Sequence, residues 1–253
     1  MTSKEKTQYL PRSEAVEKTV SRKSVGDWLT VLAFGAISWP WLLRSLSGGS
    51  DAEKHALLSR IKLPEDALPN LGSWKADIGF LNLIADEILT HAPSTIVEFG
   101  AGATTLVIAQ CLKLIGSGRQ VSFDEHKDFV EATRVWVREY GLTPEIRHAP
   151  LTQSIEGWRG RWYNYYGLPD KIDLLILDGP HWAVHPYVRG AADHLFDRIP
   201  VGGALLLDDA ARPGERIVAR RWRKRWPEFQ FWHVNGGTKG TLIGRRIKMP
   251  SSF

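Results

Sequence analysis

One cysteine, Cys111, and two methionines are all the sulfur in these 253 residues. A lone thiol excludes a disulfide framework and any all-cysteine zinc cage. Long hydrophobic runs are missing too. The most apolar stretch, Trp28 to Leu43, stays uncharged for 16 residues, short of the roughly 20 that span a bilayer. Pro40 inside it would kink a helix. No secretory leader pattern precedes it, so a cytoplasmic location is expected. An excess of one charge is lacking as well: 33 Lys and Arg face 28 Asp and Glu, a net +5. Hydrophobic content of 43% and charged content of 24% exclude wholesale disorder and fibrous classes. Against these shortages stand 11 tryptophans, an expensive residue whose abundance needs a structural use.

The charge is a C-terminal property. From Ala211 onward eleven basic residues meet only Glu215 and Glu228. Within a predicted helix from about Gly214 to Trp226, Val218, Trp222 and Trp226 form an i, i+4, i+8 stripe. Arg220, Arg221, Arg223, Lys224 and Arg225 fall mostly outside it and read as a solvated face. At the other end, residues 1–24 read as a loose polar tail. Residues 28–43, with tryptophans among aliphatics and Arg22, Lys23 and Arg44 as flanks, read either as a helix packed on the main domain or as a peripheral membrane contact. Asp51 is the expected N-cap of a following short helix. We divide the chain into an extension, 1–70, and a domain, 71–253.

In that domain short apolar runs alternate with amphipathic helices. Ser94–Phe99, Gln120–Phe123, Glu145–His148, Ile172–Leu177 and Ala204–Leu207 read as strands. Helices are expected over 77–91, 104–114, 128–140 and roughly 186–196. A closing hairpin is expected over 229–234 and 240–245, around Asn235-Gly236-Gly237. This order implies a parallel sheet covered on both faces. Ligands of such sheets bind beyond the carboxyl ends of the strands. Acids and glycines fall there: Glu98, Gly100 and Gly102 after the first strand, Asp124 and Glu125 after the second, Asp178 and Gly179 after the fourth, Asp208 and Asp209 after the fifth.

The first of these turns, Glu98-Phe99-Gly100-Ala101-Gly102-Ala103-Thr104-Thr105, lets backbone approach a ligand and opens a helix whose first N–H groups are unpaired. An acid at the next strand end can accept both hydroxyls of a ribose, and Glu125 is preferred to Asp124 for this. A dinucleotide site would need G-x-G-x-x-G, but position 105 is Thr, and no Y-x-x-x-K pair supports a nicotinamide oxidoreductase. With E-x-G-x-G followed by Thr-Thr, the loop resembles the first motif of class I S-adenosylmethionine (SAM)-dependent methyltransferases. "VSFDEHKDFVEATR" is similar to their second-strand block, "IDLLILDGPHW" to a fourth-strand block of the D-G-x-H or D-G-P kind, and "VGGALLLDDAARP" to a fifth-strand G-G-x-x-x-x-D-D block. The last two mark small-molecule O-methyltransferase-like proteins. The resemblance covers about residues 72–246.

The resemblance implies a Rossmann-like methyltransferase fold: a mostly parallel seven-stranded sheet with an antiparallel last strand and helices on both faces. It also implies SAM as cofactor. Gly100, Ala101, Gly102 and Thr104 would line the cofactor, Glu98 would orient the loop, Glu125 would hold the ribose, and residues 148–151 would flank the adenine with His126 near the adenosine. Asp178 would lie near the sulfonium. A hydroxyl acceptor needs a base, and His181 and His185 lie beside Asp178. His181 reads as base, as orienting group or as a turn residue bonded to backbone, and His185 also as a substrate contact. Some relatives bind a divalent metal at the fourth and fifth strand ends, which makes Asp178, Asp208 and Asp209 a candidate Mg²⁺ set. The alternative for the two neighbouring acids is a salt bridge to Arg212 or Arg216. The aromatic segment 158–167 reads either as a substrate lid, with Trp158, Arg161, Trp162 and Tyr163, and with Trp74 beside it, or as rings packed on the N-terminal extension. A small-molecule or glycan acceptor is expected. After the fourth strand the chain has Asp178-Gly179-Pro180-His181 in place of the N-P-P-Y block of base methyltransferases, which argues against nucleic-acid bases as acceptors. The alternative is a nucleic-acid- or membrane-surface-binding protein that uses the fold as scaffold.

Overall fold

The computed structural model describes residues 25–68, 71–72 and 75–249. The expected tail, 1–24, and Trp74 lie outside the described residues. The first element is α1 (Val25–Arg44), 20 residues with Pro40 inside. It packs inward through Val31 and Ser38, and Phe34 meets the Tyr187 ring edge-on at 5.3 Å. Among the described residues no helix is long and apolar enough to cross a membrane.

α2 (Asp51–Arg60) starts one residue from where its cap was expected. Ser50, not Asp51, is the N-cap: its hydroxyl accepts the Glu53 N–H, and Glu53 accepts the Ser50 N–H in return. Asp51 sits in the first turn, where the helix dipole favours an anion. α3 (Ile78–His91) is capped by Asp77, which accepts from the Phe80 N–H.

The domain then alternates β1 (Thr95–Phe99), α4 (Ala103–Ile115), β2 (Arg119–Asp124), α5 (Lys127–Arg138), β3 (Glu145–His148) and a small antiparallel pair, β4 (Leu151–Gln153) with β5 (Trp162–Tyr163). β6 (Leu174–Leu177), β7 (Ala204–Leu207), α6 (Pro213–Arg225), β8 (Phe229–Val234) and β9 (Thr241–Arg246) follow. The β4–β5 pair was not expected; two and three residues are too short to leave a period. The main sheet has seven strands in the order β3-β2-β1-β6-β7-β9-β8. β9 runs antiparallel between β7 and β8, and the other pairs are parallel.

Residues 188–198 wind as a 3-10 helix rather than the expected α-helix. Tertiary contacts account for this. The Gly190 carbonyl accepts from Trp222 Nε1 at 3.0 Å, and a side chain at Gly190 would collide with the Trp158 ring.

Side chains alternate across β1. Ile96 joins a core with α3 and α4 that includes Ile84, Ile88, Leu106 and Ile108. Val97 and Phe99 join a core on the opposite face with Phe196, Val218 and Trp222. The tryptophans of α5 and α6 are structural: Trp136 donates to the Ala67 carbonyl at 3.2 Å, and Trp222 is fully buried. Val218 and Trp222 are buried while Arg220, Arg221 and Arg223 are exposed, as the stripe predicted.

Candidate active site

The parallel strands end in a staircase of backbone hydrogen bonds that fixes each turn to its neighbour. Gly100 N–H donates to Phe123, Asp178 and Gly179 donate to Phe99, Asp208 donates to Leu177, and Ala149 donates to Asp124. Gly100 has φ +96° and lies against the turn after β6: a Cβ there would meet Gly179 N at 2.7 Å. Only glycine satisfies both demands. The loop therefore forms a bare backbone cradle at the start of α4.

Beneath that cradle lies Glu98, fully buried. It accepts from Ser122 Oγ and from Thr105 Oγ1 at 2.7 Å, and the Thr105 hydroxyl accepts the Gly102 N–H at 2.9 Å. Thr105 thus relays the position of Glu98 to the loop. Burial pushes the Glu98 carboxyl up to about 7, against the opposing pull of the Ser122, Thr104 and Thr105 hydroxyls. Thr104 is itself buried in the first turn of α4. Thr105 was read from the sequence as a missing glycine and as part of the Thr-Thr that follows the loop, so its relay was not foreseen.

The two acids after β2 divide their work. Asp124 accepts the Ala101 N–H at 3.1 Å and the His126 N–H at 2.9 Å, so it braces the loop from inside. Burial, then the neighbouring Glu125, hold its carboxyl well above the usual range. Glu125 is less buried and accepts from the Tyr163 hydroxyl at 3.1 Å. His126 occupies the N-cap position of α5.

The residues expected as an aromatic lid are placed as follows. Trp162 and Tyr163 are buried; Trp162 packs on Phe99 at 5.2 Å. Trp158 donates to Asp193 at 3.0 Å and lies under the Arg221 guanidinium. Arg161 is exposed and reaches Ser154 and the Thr152 carbonyl. Of the four, only Tyr163 reaches a strand-end acid.

After β6, Asp178 is followed by a cis Gly179-Pro180 bond and His181. His181 Nδ1 accepts the Ala183 N–H at 3.2 Å, which is the turn role. A neutral ring so bonded carries its hydrogen on Nε2 and acts there as a donor, not a base. His185 is buried, accepts the Tyr187 N–H on Nδ1 at 3.1 Å and faces Asp27 of α1 at 3.9 Å. It therefore lies against α1. Burial raises the Asp178 carboxyl, while Lys239 and Arg189 pull it down.

Asp178, Asp208 and Asp209 bring ligand atoms within 4.8 Å of one another. Three buried cations already occupy them. Asp209 pairs with Arg189 at 3.0 Å and with Arg212 at 2.8 Å, and Asp208 pairs with Lys239 at 3.5 Å. Burial works to raise the Asp209 carboxyl, but Arg212, Lys239 and Arg189 together hold it well below the usual carboxylate range. A divalent ion would have to displace these cations, so the donor set does not fit Mg²⁺. Arg189 also donates to the carbonyls of Pro180 and Asp208, both at 3.1 Å, and so clamps the ends of β6 and β7 together. A lone arginine in a predicted helix gives no signal of such a role, and Lys239 was read only as part of a hairpin.

Residues 97–210 match the methyltransferase domain family. A search of curated proteins finds no match. Among solved structures the chain is similar to a methyltransferase from Geobacter sulfurreducens (TM-score 0.52, 19% identity, 79% of this chain and 91% of that chain). It is also similar to an O-methyltransferase from Bacillus cereus in complex with SAH (0.52, 12%, 85% and 99%). A third similar structure is the O-methyltransferase TomG from Streptomyces achromogenes, solved with SAM and involved in tomaymycin synthesis (0.51, 12%, 78% and 89%). These likenesses are ones of fold. The domain match spans residues 97–210, and the strand order and the glycine loop agree with it, so this stretch of the chain is similar to a methyltransferase domain.

Proposed function

We propose that the chain methylates an oxygen of a small molecule or glycan, with SAM as methyl donor and without a metal ion. The observation that carries this reading is the Gly100–Gly102 loop, braced by Asp124 through the Ala101 N–H, with the next residue, Glu125, accepting from Tyr163. The cradle fits a ligand that needs close backbone approach, and the carboxylate fits a vicinal diol. SAM, when bound, supplies a methyl group on a positively charged sulfur that leaves readily.

The remaining work falls to side chains of this chain. Gly100, Ala101 and Gly102 admit the cofactor, and Glu98 and Asp124 hold that loop from below. Glu125 binds the ribose hydroxyls. His181 donates from Nε2 to orient the acceptor oxygen. Asp178 takes the acceptor proton; a carboxylate raised by burial is a better base than a solvated one. Alignment of the acceptor supplies the rest of the rate. The O-methyltransferases among the similar structures support oxygen as the target atom.

Calorimetric titration tests the reading. Wild-type protein should bind SAM or SAH, Gly100→Arg should bind neither, and Glu125→Ala should bind both more weakly. Wild-type protein with no affinity for either sinks the proposal.

A further inference from the structure

Two surface features lie outside the site and meet. The first is the outward face of α1. Leu29 is 63% exposed, Leu32 58%, Ile37 55% and Trp39 59%. Between Asp27 and Arg44 the helix carries no charge. A contiguous apolar face of this kind on a water-facing helix marks an interaction surface.

The second feature is a cavity of about 320 Å³ lined by Arg216, Arg220 and Arg223 of α6 with His233 and Asn235. The three arginines are spaced i, i+4, i+7 and so stand in one row. Among the described residues none of them is ion-paired to a carboxylate, unlike Arg212 and Arg225 on the same segment. Partial burial, then Arg223 and Arg216, hold the His233 imidazole below its usual range, a sign of the positive field there. The features join at Arg216, whose guanidinium lies 5.8 Å from the centre of the Trp41 ring. Trp41 is one helical turn beyond Ile37.

We propose that α1 and the arginine cavity of α6 together seat the protein on an anionic phospholipid surface. Leu29, Leu32, Ile37 and Trp39 enter the headgroup–acyl boundary, and the cavity takes a headgroup phosphate. A helix with an apolar face and a tryptophan suits that depth, and guanidinium forks suit phosphate. Charge complementarity favours lipid over the other occupants. A nucleic acid would satisfy the arginines and leave the aliphatic face in water. A second copy docked symmetrically would bring like arginine rows together. The proposal is independent of the methyl-transfer reading, because neither surface includes a residue given a role in it.

Co-sedimentation of the full chain with vesicles tests it. Binding is expected to vesicles of phosphatidylcholine with a minor share of phosphatidylglycerol, and salt should release it. Arg216→Gln, Arg220→Gln and Arg223→Gln together should weaken partition on the order of a hundredfold. Leu32→Ser with Ile37→Ser should abolish insertion. These positions are exposed, so thermal melting and SAM calorimetry should match wild type and show that the variants fold. Wild-type protein that ignores anionic vesicles overturns the proposal. So does a triple arginine variant that binds like wild type. Stabilisation by soluble glycerol phosphate without vesicle binding would assign the cavity to a soluble phosphoryl ligand and overturn the lipid seat. Self-association lost in the serine variant, again without vesicle binding, would assign α1 to a second copy.

Discussion

Glu98 shows how one residue ties the Gly100–Gly102 loop to pH. Its carboxyl titrates at about 7 in the fold, against an ordinary value of 4.5. The folded chain therefore holds a proton that the unfolded chain releases between those two values. Stability should fall as pH rises through that window and level off above it, by about 3 kcal/mol from this group. Glu98→Gln keeps the hydrogen-bond acceptor and removes the titration. Its denaturation free energy should be flatter than wild type between pH 4.5 and 7, and parallel curves would sink the assignment. Tyr163 offers a second test at this scale. Its hydroxyl donates to Glu125 from a fully buried ring. Tyr163→Phe should leave the fold intact and weaken SAM about tenfold by calorimetry, the worth of one hydrogen bond to a charged group.

At the scale of elements, α3 and the β8–β9 turn depend on one carboxylate. Asp77 caps α3 at Phe80 and also accepts from the Thr238 N–H at 2.6 Å, from the Thr238 hydroxyl at 3.0 Å and from the Lys239 N–H at 3.0 Å. Gly79 and Gly237 pack backbone to backbone at the same place. Asp77→Ala should cost about 2 to 3 kcal/mol. Amide exchange should speed up at residues 237–239 more than in the middle of the sheet; uniform exchange would mean that the turn does not rely on this clasp. Elements of this sheet were legible in the sequence, since short apolar runs ending in glycine or acid leave a local pattern. Val97–Gly102 and Leu174–Gly179 read correctly for that reason. The roles of Asp77, Arg189, Thr105 and Tyr163 were not legible. Those of Asp77, Arg189 and Tyr163 are set by partners far away in the chain, and that of Thr105 by Glu98 and Gly102 across the turn; periodicity carries no record of such pairings. The depth of the tryptophan-rich segment was equally illegible, because the partner that Trp162 packs on, Phe99, lies on another strand.

Over the whole molecule, the acids at the sheet's end are balanced from distant parts of the chain: Arg189 from the 3-10 helix, Arg212 from the start of α6, Lys239 from the last turn. A cluster neutralised from three directions needs no ion. Chelators should change neither methyl transfer nor melting temperature, and added Mg²⁺ should give no heat in calorimetry; metal-dependent turnover would refute the closed charge balance. Lys239 reaches this cluster only because β9 lies inside the sheet, between β7 and β8. That placement has a consequence for assembly. β7 pairs with β6 across the crossover 178–203, but its other edge waits for residues 241–246. Until they arrive, an apolar strand presents unpaired backbone to its surroundings, the kind of edge on which other chains nucleate. The sheet is thus closed from its middle outward, and a nascent chain that stalls before β9 carries both an open edge and an unbalanced nest of acids.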